Sequence, residues 1–247
     1  MGAYFGNPVH IFMPNWVSKE RLSLMKLYNA DVTLISKEEG GFKKAVELAK
    51  EYASTNNAFL ANQFENENNI LAHYETTGKE IAQKLGLKIG GFVSGIGTGG
   101  TLIGVGKCLK ELDKNIKVYA LEPDKMPMLS QNKAIENHKI EGIGDDFIPD
   151  IVDRNLIDEI ILVNDDDSIN MSRKLALNLG LGVGISSGAN MIASVIAKEQ
   201  NTKEIVTVFP DDNKKYLTTE LANAVDNNSK FISNQIKLMD YEFVENQ

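Results

Sequence analysis

The chain has 247 residues, of which 43% are hydrophobic and 24% are charged, a composition typical of a globular protein with a sizeable core. Its formal net charge is −8 at pH 7, which argues against nonspecific binding to nucleic acid or to an anionic membrane. No apolar run approaches the roughly 18 residues of a membrane-spanning helix.

Cysteine usage and the first residues bear on the compartment. The single cysteine, Cys108, excludes an internal disulfide framework and favours a reducing cytoplasm. It lies within a predicted helix, so we interpret it as a core thiol rather than a nucleophile. The N-terminus has no basic segment followed by a long apolar one, so we expect no secretory signal.

Predicted strands and helices alternate along the chain. Short apolar runs predict strands, and apolar residues at helical spacing predict helices. The predicted strands are 10–13, 31–35, 58–60, 90–94, 116–121, 160–163 and 205–209. The predicted helices are 18–28, 41–52, 69–85, 102–112 and 167–179. This alternation predicts an α/β fold with mostly parallel sheets flanked by helices, whose ligands bind beyond the carboxyl ends of the strands.

The most informative stretch is Ser94-Gly-Ile-Gly-Thr-Gly-Gly-Thr101, which lies between a predicted strand and a predicted helix. Glycines let the backbone approach a ligand closely and adopt positive φ. The helix N-terminus adds backbone N–H groups and partial positive charge, and Thr98 and Thr101 add hydroxyl donors. The stretch therefore predicts a phosphate-binding loop.

Other interpretations of this loop stay open at this point. No Gly-Lys-Ser/Thr follows it, which disfavours a nucleoside triphosphate. The spacing Gly95-x-Gly97-x-x-Gly100, with Glu122 further on, fits a dinucleotide fingerprint, but the threonines suit a phosphate monoester at least as well. A glycine-rich turn without any ligand is the remaining alternative.

A series of landmarks in consistent order then points to a family. They are Asn62-Gln-Phe-Glu-Asn66, His73-Tyr-Glu-Thr-Thr-Gly78, the glycine loop, Glu122-Pro123, Lys139-Ile-Glu-Gly-Ile-Gly144, Gly182-Val-Gly-Ile-Ser-Ser-Gly-Ala189, Pro210-Asp211 and Lys215-Tyr216-Leu217. Together they resemble the cysteine synthase and cystathionine β-synthase family, pyridoxal-phosphate enzymes of fold type II. The resemblance extends to about Leu221.

The resemblance implies roles for the matching positions. The cofactor, pyridoxal 5'-phosphate, would be held by its phosphate at Gly97, Thr98, Gly99, Gly100 and Thr101. Gln63 would contact the carboxylate side of a small amino-acid substrate. His73 is expected to be a packed, hydrogen-bonded histidine, and Ser187 a helix cap. No metal site is expected, and family members are commonly homodimers.

The resemblance also implies a domain division. We expect a remnant of the substrate-side domain at 1–66 and a cofactor-phosphate-binding domain at 67–225. The last stretch is polar with few apolar residues, which predicts a loosely held C-terminal tail at 226–247.

The first departure from the family pattern concerns its Schiff-base lysine. That lysine and the following Asn-containing loop belong to a segment with no counterpart from Met1 onward, so the chain resembles a fold type II enzyme lacking its N-terminal segment. Because the lysine is central to the chemistry, we expect the chain as given to be nearly inactive. Other lysines, such as Lys107 and Lys214, have no claim to the role.

The second departure is Asp212, where the family usually places Ser or Thr against the pyridine nitrogen. A carboxylate there would favour the protonated ring and strengthen its electron-withdrawing effect. The alternative is that Asp212 turns to solvent in an acidic loop.

The third departure is the pair Asp145 and Asp146, where the family typically has Ala or Pro followed by Gly. A carboxylate near the reacting carbon would act as a general base on water, and it would repel an anionic co-substrate such as hydrosulfide. Cysteine would then lose hydrogen sulfide and become serine. The alternative is a surface acidic pair.

These observations predict a pyridoxal-phosphate enzyme that catalyses β-replacement or β-elimination on cysteine, serine or O-acetylserine. The specific hypothesis is a cysteine lyase that releases hydrogen sulfide and forms serine. The alternative from another class is an inactive fragment that binds a phosphate or a partner chain. A nucleotide-dependent oxidoreductase is disfavoured because no residue suggests a nicotinamide pocket.

Overall fold

A computed structural model describes residues 1–223 and 228–243. The chain divides into two compact units, Met1–Asn62 with Lys214–Ala222, and Gln63–Asn213 with Asn223–Gln247. The predicted domain bound after residue 66 stays a prediction, and the one after residue 225 lies outside the described residues.

The first unit is built on two parallel strands. Strand β1 (His10–Pro14) pairs with β2 (Asp31–Ile35), both at their predicted places. Its helices are α1 (Gly2–Phe5), α2 (Lys19–Leu27) and α3 (Gly41–Asn56). The strand predicted at 58–60 is wrong. Asn57 follows α3 in the left-handed conformation, which turns the chain away from the helix direction. Phe59 is 90% exposed, so this short apolar run is not buried against a sheet as a strand would be.

The second unit contains a four-stranded parallel sheet. Its strands are β3 (Ile89–Gly95), β4 (Lys117–Pro123), β5 (Glu159–Val163) and β6 (Glu204–Thr207), in the order β5-β4-β3-β6. Strand β3 is central, and its first six residues are buried. Because a central parallel strand is covered on both faces, it has the uninterrupted apolar run found in the sequence. The predicted fold class is confirmed.

Helices cover both faces of this sheet. They are α4 (Asn68–His73), α5 (Lys79–Leu85), α6 (Gly100–Leu112), α7 (Met128–Gln131), α8 (Asp165–Leu179), α9 (Ile185–Glu199) and α10 (Ile232–Gln235). Helix α6 contacts β3 and β4, and α9 contacts β3 and β6. Since right-handed crossovers to opposite edges of a sheet lie on opposite faces, α8 and α9 cover the face opposite to α6. Within the described ranges, each helix is too short or too polar to cross a membrane.

The long helix predicted at 69–85 is interrupted by one wider turn. Residues Tyr74–Gly78 form a π-helical turn between α4 and α5. This stretch packs on α6 so closely that a Cβ atom at Gly104 would overlap the carbonyl oxygen of Ile70 and lie 2.8 Å from Cβ of His73. The close packing holds His73 directly beside the first turns of α6.

The C-terminal segment is held more firmly than the sequence predicted. The Asp167 carboxylate accepts hydrogen bonds from the backbone N–H groups of Ile232 (2.8 Å) and Ser233 (2.9 Å). Lys174 donates to the carbonyl oxygens of Ser233, at 2.8 Å, and of Ile236. Residues 232–236 of the predicted tail are therefore hydrogen-bonded to two side chains of α8, of which Asp167 is buried. Residues 226, 227 and 244–247 of that tail lie outside the described residues.

We expect Gly104→Ala to destabilise the protein by about 1–3 kcal/mol, because the added methyl group meets backbone atoms that cannot yield. Gly106→Ala, two residues along the same helix, is the matched control. Its Cβ atom would lie 3.1 Å from the ends of the Leu156 and Val118 side chains, which can adjust. Urea unfolding followed by circular dichroism measures both, and equal losses would contradict the proposed role of Gly104.

Candidate active site

The glycine loop has the geometry of a ligand-binding turn. Strand β3 ends at Gly95 and α6 begins at Gly100, with Gly99 between them at φ +92°. A Cβ atom on Gly97 would overlap the carbonyl oxygen of Gly142, and one on Gly100 would overlap the Asn69 side chain. The loop therefore has no room for side chains at Gly97 and Gly100, and bare backbone at the start of a helix is the arrangement in which N–H groups bind an anion.

Two threonine hydroxyls of the loop are held by α4. Thr98 Oγ1 accepts hydrogen bonds from Asn69 Nδ2 (2.9 Å) and from the N–H of Gly100 (3.3 Å). Thr101 Oγ1 lies 3.1 Å from Nε2 of His73. Burial lowers the pKa of His73, which favours the neutral imidazole. Both hydroxyls therefore have defined partners on the protein side.

The acidic pair belongs to a segment that lies against the same loop. The N–H of Gly144 donates to the carbonyl oxygen of Ile96 at 2.8 Å. His138 bonds the same segment, with Nε2 2.7 Å from the carbonyl oxygen of Gly144 and Nδ1 accepting from the N–H of Ile140. The structure thus brings Asp145 next to the glycine loop, although the two motifs lie far apart in sequence.

The two aspartates differ in environment. Asp145 is half-buried, whereas Asp146 is exposed. Burial, with a smaller contribution from the charge of Asp146, raises the pKa of Asp145 to about 7. Asp145 lines a small pocket with Gly97 and Phe147, and Phe147 packs edge-on against Phe64 with ring centroids 5.0 Å apart. A carboxyl group that titrates near neutrality in a pocket is suited to moving a proton at physiological pH.

Glu122, the acidic residue of the dinucleotide alternative, is occupied by its own chain. It is 3% exposed, and its two carboxylate oxygens accept from the backbone N–H groups of Leu129 (2.8 Å) and Ser130 (3.0 Å). These bonds fix the start of the short helix α7. A carboxylate with both oxygens engaged in this way is poorly placed to bind a ribose, which weighs against a dinucleotide.

Asn190 is a site-forming residue that the sequence did not reveal. It is 1% exposed on α9. Its Oδ1 accepts from the N–H of Gly95 (2.9 Å), and its Nδ2 donates to the carbonyl oxygen of Val208 (2.8 Å). One amide thus satisfies backbone groups at the carboxyl ends of β3 and β6, where the glycine loop begins. An asparagine flanked by the apolar residues Ala189 and Met191 was the available signal.

The remaining predicted site residues occupy different settings. Gln63 is exposed, and its backbone carbonyl oxygen accepts a hydrogen bond from Asn69 Nδ2 at 2.9 Å. Because the same nitrogen donates to Thr98, Gln63 lies beside the glycine loop. Asp212 is also exposed and forms an isolated backbone bridge with Val183. Their roles toward substrate and pyridine ring stay predictions.

Ser187 differs from its expected capping role. Gly184 occupies the capping position of α9, and Ser187 lies within the first turn, fully buried. In the part of the chain that the structure describes, its Oγ has no hydrogen-bond partner. A buried polar atom of this kind commonly meets a bound ligand or water. The side-chain-free loop and its two threonine hydroxyls fit the phosphate of a cofactor.

Comparisons with known proteins agree with this geometry. Residues 1–211 match the family model described as pyridoxal-phosphate dependent enzyme. Cysteine synthase B of Campylobacter jejuni is 43% identical over 211 residues, which cover 85% of this chain and 70% of that protein. The hydrogen sulfide-producing enzyme of Fusobacterium nucleatum is 45% identical with a TM-score of 0.91, covering 100% of this chain and 74% of that one. Cysteine synthase of Entamoeba histolytica is 36% identical with a TM-score of 0.84, covering 95% of this chain and 69% of that one.

We expect Asn190→Ala to lower the free energy of unfolding by about 1–3 kcal/mol, because it leaves two partly buried backbone groups, the N–H of Gly95 and the carbonyl oxygen of Val208, without this partner. It should also weaken phosphate binding, since the loop starts at Gly95. The matched control is Asn201→Ala, because Asn201 bonds the carbonyl oxygen of Gly90 near the other end of β3. Calorimetric titration with inorganic phosphate measures the phosphate affinity of both variants. An equal loss of affinity in Asn190→Ala and Asn201→Ala would contradict the role given to Asn190.

Proposed function

The chain belongs to the pyridoxal-phosphate-dependent enzyme family, and on that basis we propose that it is a cysteine synthase-like enzyme that converts cysteine and water into serine and hydrogen sulfide. The observation that carries the proposal is the acidic pair, Asp145 and Asp146, on a segment bonded to the glycine loop. The similarity to a hydrogen sulfide-producing enzyme supports the release of hydrogen sulfide in this reaction.

The glycine loop is proposed to hold the cofactor phosphate. Gly97, Gly99 and Gly100 admit the anion to the backbone, and Thr98 and Thr101 contribute hydroxyl protons. When bound, pyridoxal phosphate supplies an electron sink for charge that develops at the α-carbon of the amino acid. Asp212 is proposed to favour the protonated pyridine nitrogen, and Gln63 to contact the substrate on its carboxylate side.

Asp145 is proposed to activate the attacking water. Its pKa of about 7 leaves a substantial fraction ionised at neutral pH, and the ionised carboxylate accepts a proton from water. The hydroxide left by this transfer would form the C–O bond at the β-carbon, and the C–S bond breaks. The proton accepted by Asp145 balances the one that the departing hydrosulfide takes up to leave as hydrogen sulfide. Asp146 keeps the pKa of Asp145 raised through its negative charge.

Cysteine synthesis from O-acetylserine and hydrosulfide is the second candidate. The identity to cysteine synthase B favours it, and the same phosphate loop would serve both reactions. The acidic pair opposes it, because negative charge beside the reacting carbon repels the incoming hydrosulfide anion. The balance between the two reactions is therefore expected to depend on residues 145 and 146.

The first test compares products. We expect a form of the protein that carries the family's Schiff-base lysine, supplied with pyridoxal phosphate and cysteine, to release hydrogen sulfide and serine in equal amounts, with oxygen-18 from labelled water entering serine. The double variant Asp145→Ala/Asp146→Gly, which carries residues typical of the family, should lose serine formation and gain cysteine formation from O-acetylserine. An unchanged product ratio would refute the role of the pair, and no turnover in either reaction would favour the noncatalytic alternative.

The second test is the pH profile of serine formation. The rate should rise with pH through about 7, because the ionised form of Asp145 is the active base. Asp146→Asn removes the neighbouring charge, lowers the pKa of Asp145 and should shift this limb toward lower pH. Asp150→Asn is a control at an exposed position on the same segment. If Asp146→Asn leaves the limb in place, another group titrates.

Two further features are proposed from the sequence and the family. A cytoplasmic location fits the single cysteine, Cys108, which is buried. A homodimer is expected from the resemblance, and sedimentation of the purified protein measures it. The acidic net charge of −8 supports small-molecule substrates rather than nucleic-acid or membrane partners.

A further inference from the structure

Two side chains of one helix reach the two threonines of the glycine loop. Asn69 and His73 lie four residues apart in α4 and therefore project from the same face. Thr98 and Thr101 are the loop residues that they contact, at 2.9 and 3.1 Å. Helix α4 thus contacts the loop through two specific polar side chains, and not only through van der Waals packing.

The hydrogen bonds at Thr98 define where its proton points. The hydroxyl oxygen accepts one bond from Asn69 Nδ2 and one from the N–H of Gly100. A hydroxyl group has two acceptor lone pairs and one donor. With both lone pairs engaged by the protein, the Thr98 proton is left to be donated to a ligand.

The same reasoning at Thr101 depends on the tautomer of His73. Nδ1 of His73 lies 3.2 Å from Oγ1 of Thr77, and Nε2 lies 3.1 Å from Oγ1 of Thr101. If the Thr77 hydroxyl donates to Nδ1, the neutral ring carries its proton on Nε2 and donates it to Thr101. The Thr101 proton is then also left for a ligand.

The packing around these side chains leaves them little freedom. A Cβ atom on Gly100 would overlap the Asn69 amide, and one on Gly104 would lie 2.8 Å from Cβ of His73. Thr77 belongs to the π-helical turn that follows His73. Such turns are frequent at functional sites, and this one carries the hydroxyl group that faces Nδ1.

We propose that the Thr77 hydroxyl donates to Nδ1 of His73, and that Asn69 and His73 are thereby positioning residues that orient the hydroxyl protons of Thr98 and Thr101 toward the phosphate of the ligand. The proposal rests on the proposed function, because it takes the cofactor phosphate as the group that the loop receives. It adds a proton-ordered chain from Thr77 through His73 to Thr101. That chain makes hydrogen-bond direction, and not only shape, a determinant of affinity.

The test measures affinity without turnover. Calorimetric titrations use pyridoxamine 5'-phosphate and pyridoxamine, since neither forms an imine with a lysine and their difference reports the phosphate group. The variants are His73→Leu, which removes the donor, His73→Gln, whose amide nitrogen restores a donor near the position of Nε2, and Thr77→Val. His10→Leu is the control, because His10 bonds Thr33 in the other unit.

We expect His73→Leu and Thr77→Val to weaken pyridoxamine 5'-phosphate binding about ten-fold or more, in line with a lost hydrogen bond to a charged group. Pyridoxamine binding should stay unchanged in both, His73→Gln should recover most of the affinity, and His10→Leu should bind as the wild type does. Equal binding by His73→Leu and the wild type would overturn the inference while leaving the cofactor site intact. A wild-type protein that does not prefer the phosphorylated ligand would instead overturn the proposed function.

Discussion

The close backbone contact between the glycine loop and residues 142–144 is the constraint on which the site depends. The N–H of Gly144 bonds the carbonyl oxygen of Ile96, and Gly97 lies where any Cβ atom would strike the carbonyl oxygen of Gly142. This contact links an anion-binding turn to a pair of carboxylates. The proposed phosphate site and the proposed proton-accepting group are thereby joined through backbone, which is more rigid than contact between side chains.

Buried polar side chains hold this arrangement together. The carboxyl ends of parallel strands leave backbone groups that must be satisfied where the ladder stops. Asn190 does so for β3 and β6, Glu122 caps α7, and Asp167 bonds the C-terminal segment. Each of these carries two or more hydrogen bonds, so its burial is compensated, and its removal would leave several groups unpaired. The apolar core sets the layers, and these side chains set the loop positions.

The acidic pair shows how position changes the chemistry of identical residues. Asp145 and Asp146 are neighbours in sequence, yet one is half-buried beside Phe147 and the other is exposed. Burial and the charge of its neighbour raise the pKa of Asp145 to about 7. Two carboxylates in different environments can take different roles in one reaction, one exchanging a proton and the other supplying negative charge.

The sequence by itself determined the parallel α/β fold, the strand–loop–helix unit around Gly97–Thr101 and the family. These rest on local periodicity and on motifs, which short stretches of chain encode. Only the tertiary structure decided that residues 58–60 stay outside a sheet, that Ser233 is buried, and that Asn69, His73 and Asn190 support the loop. It also decided that Asp145, and not Asp146, is the half-buried member of its pair. The physical reason is that burial and hydrogen-bond partners come from residues distant in sequence, so neither a pKa nor an oriented hydroxyl group follows from neighbours along the chain.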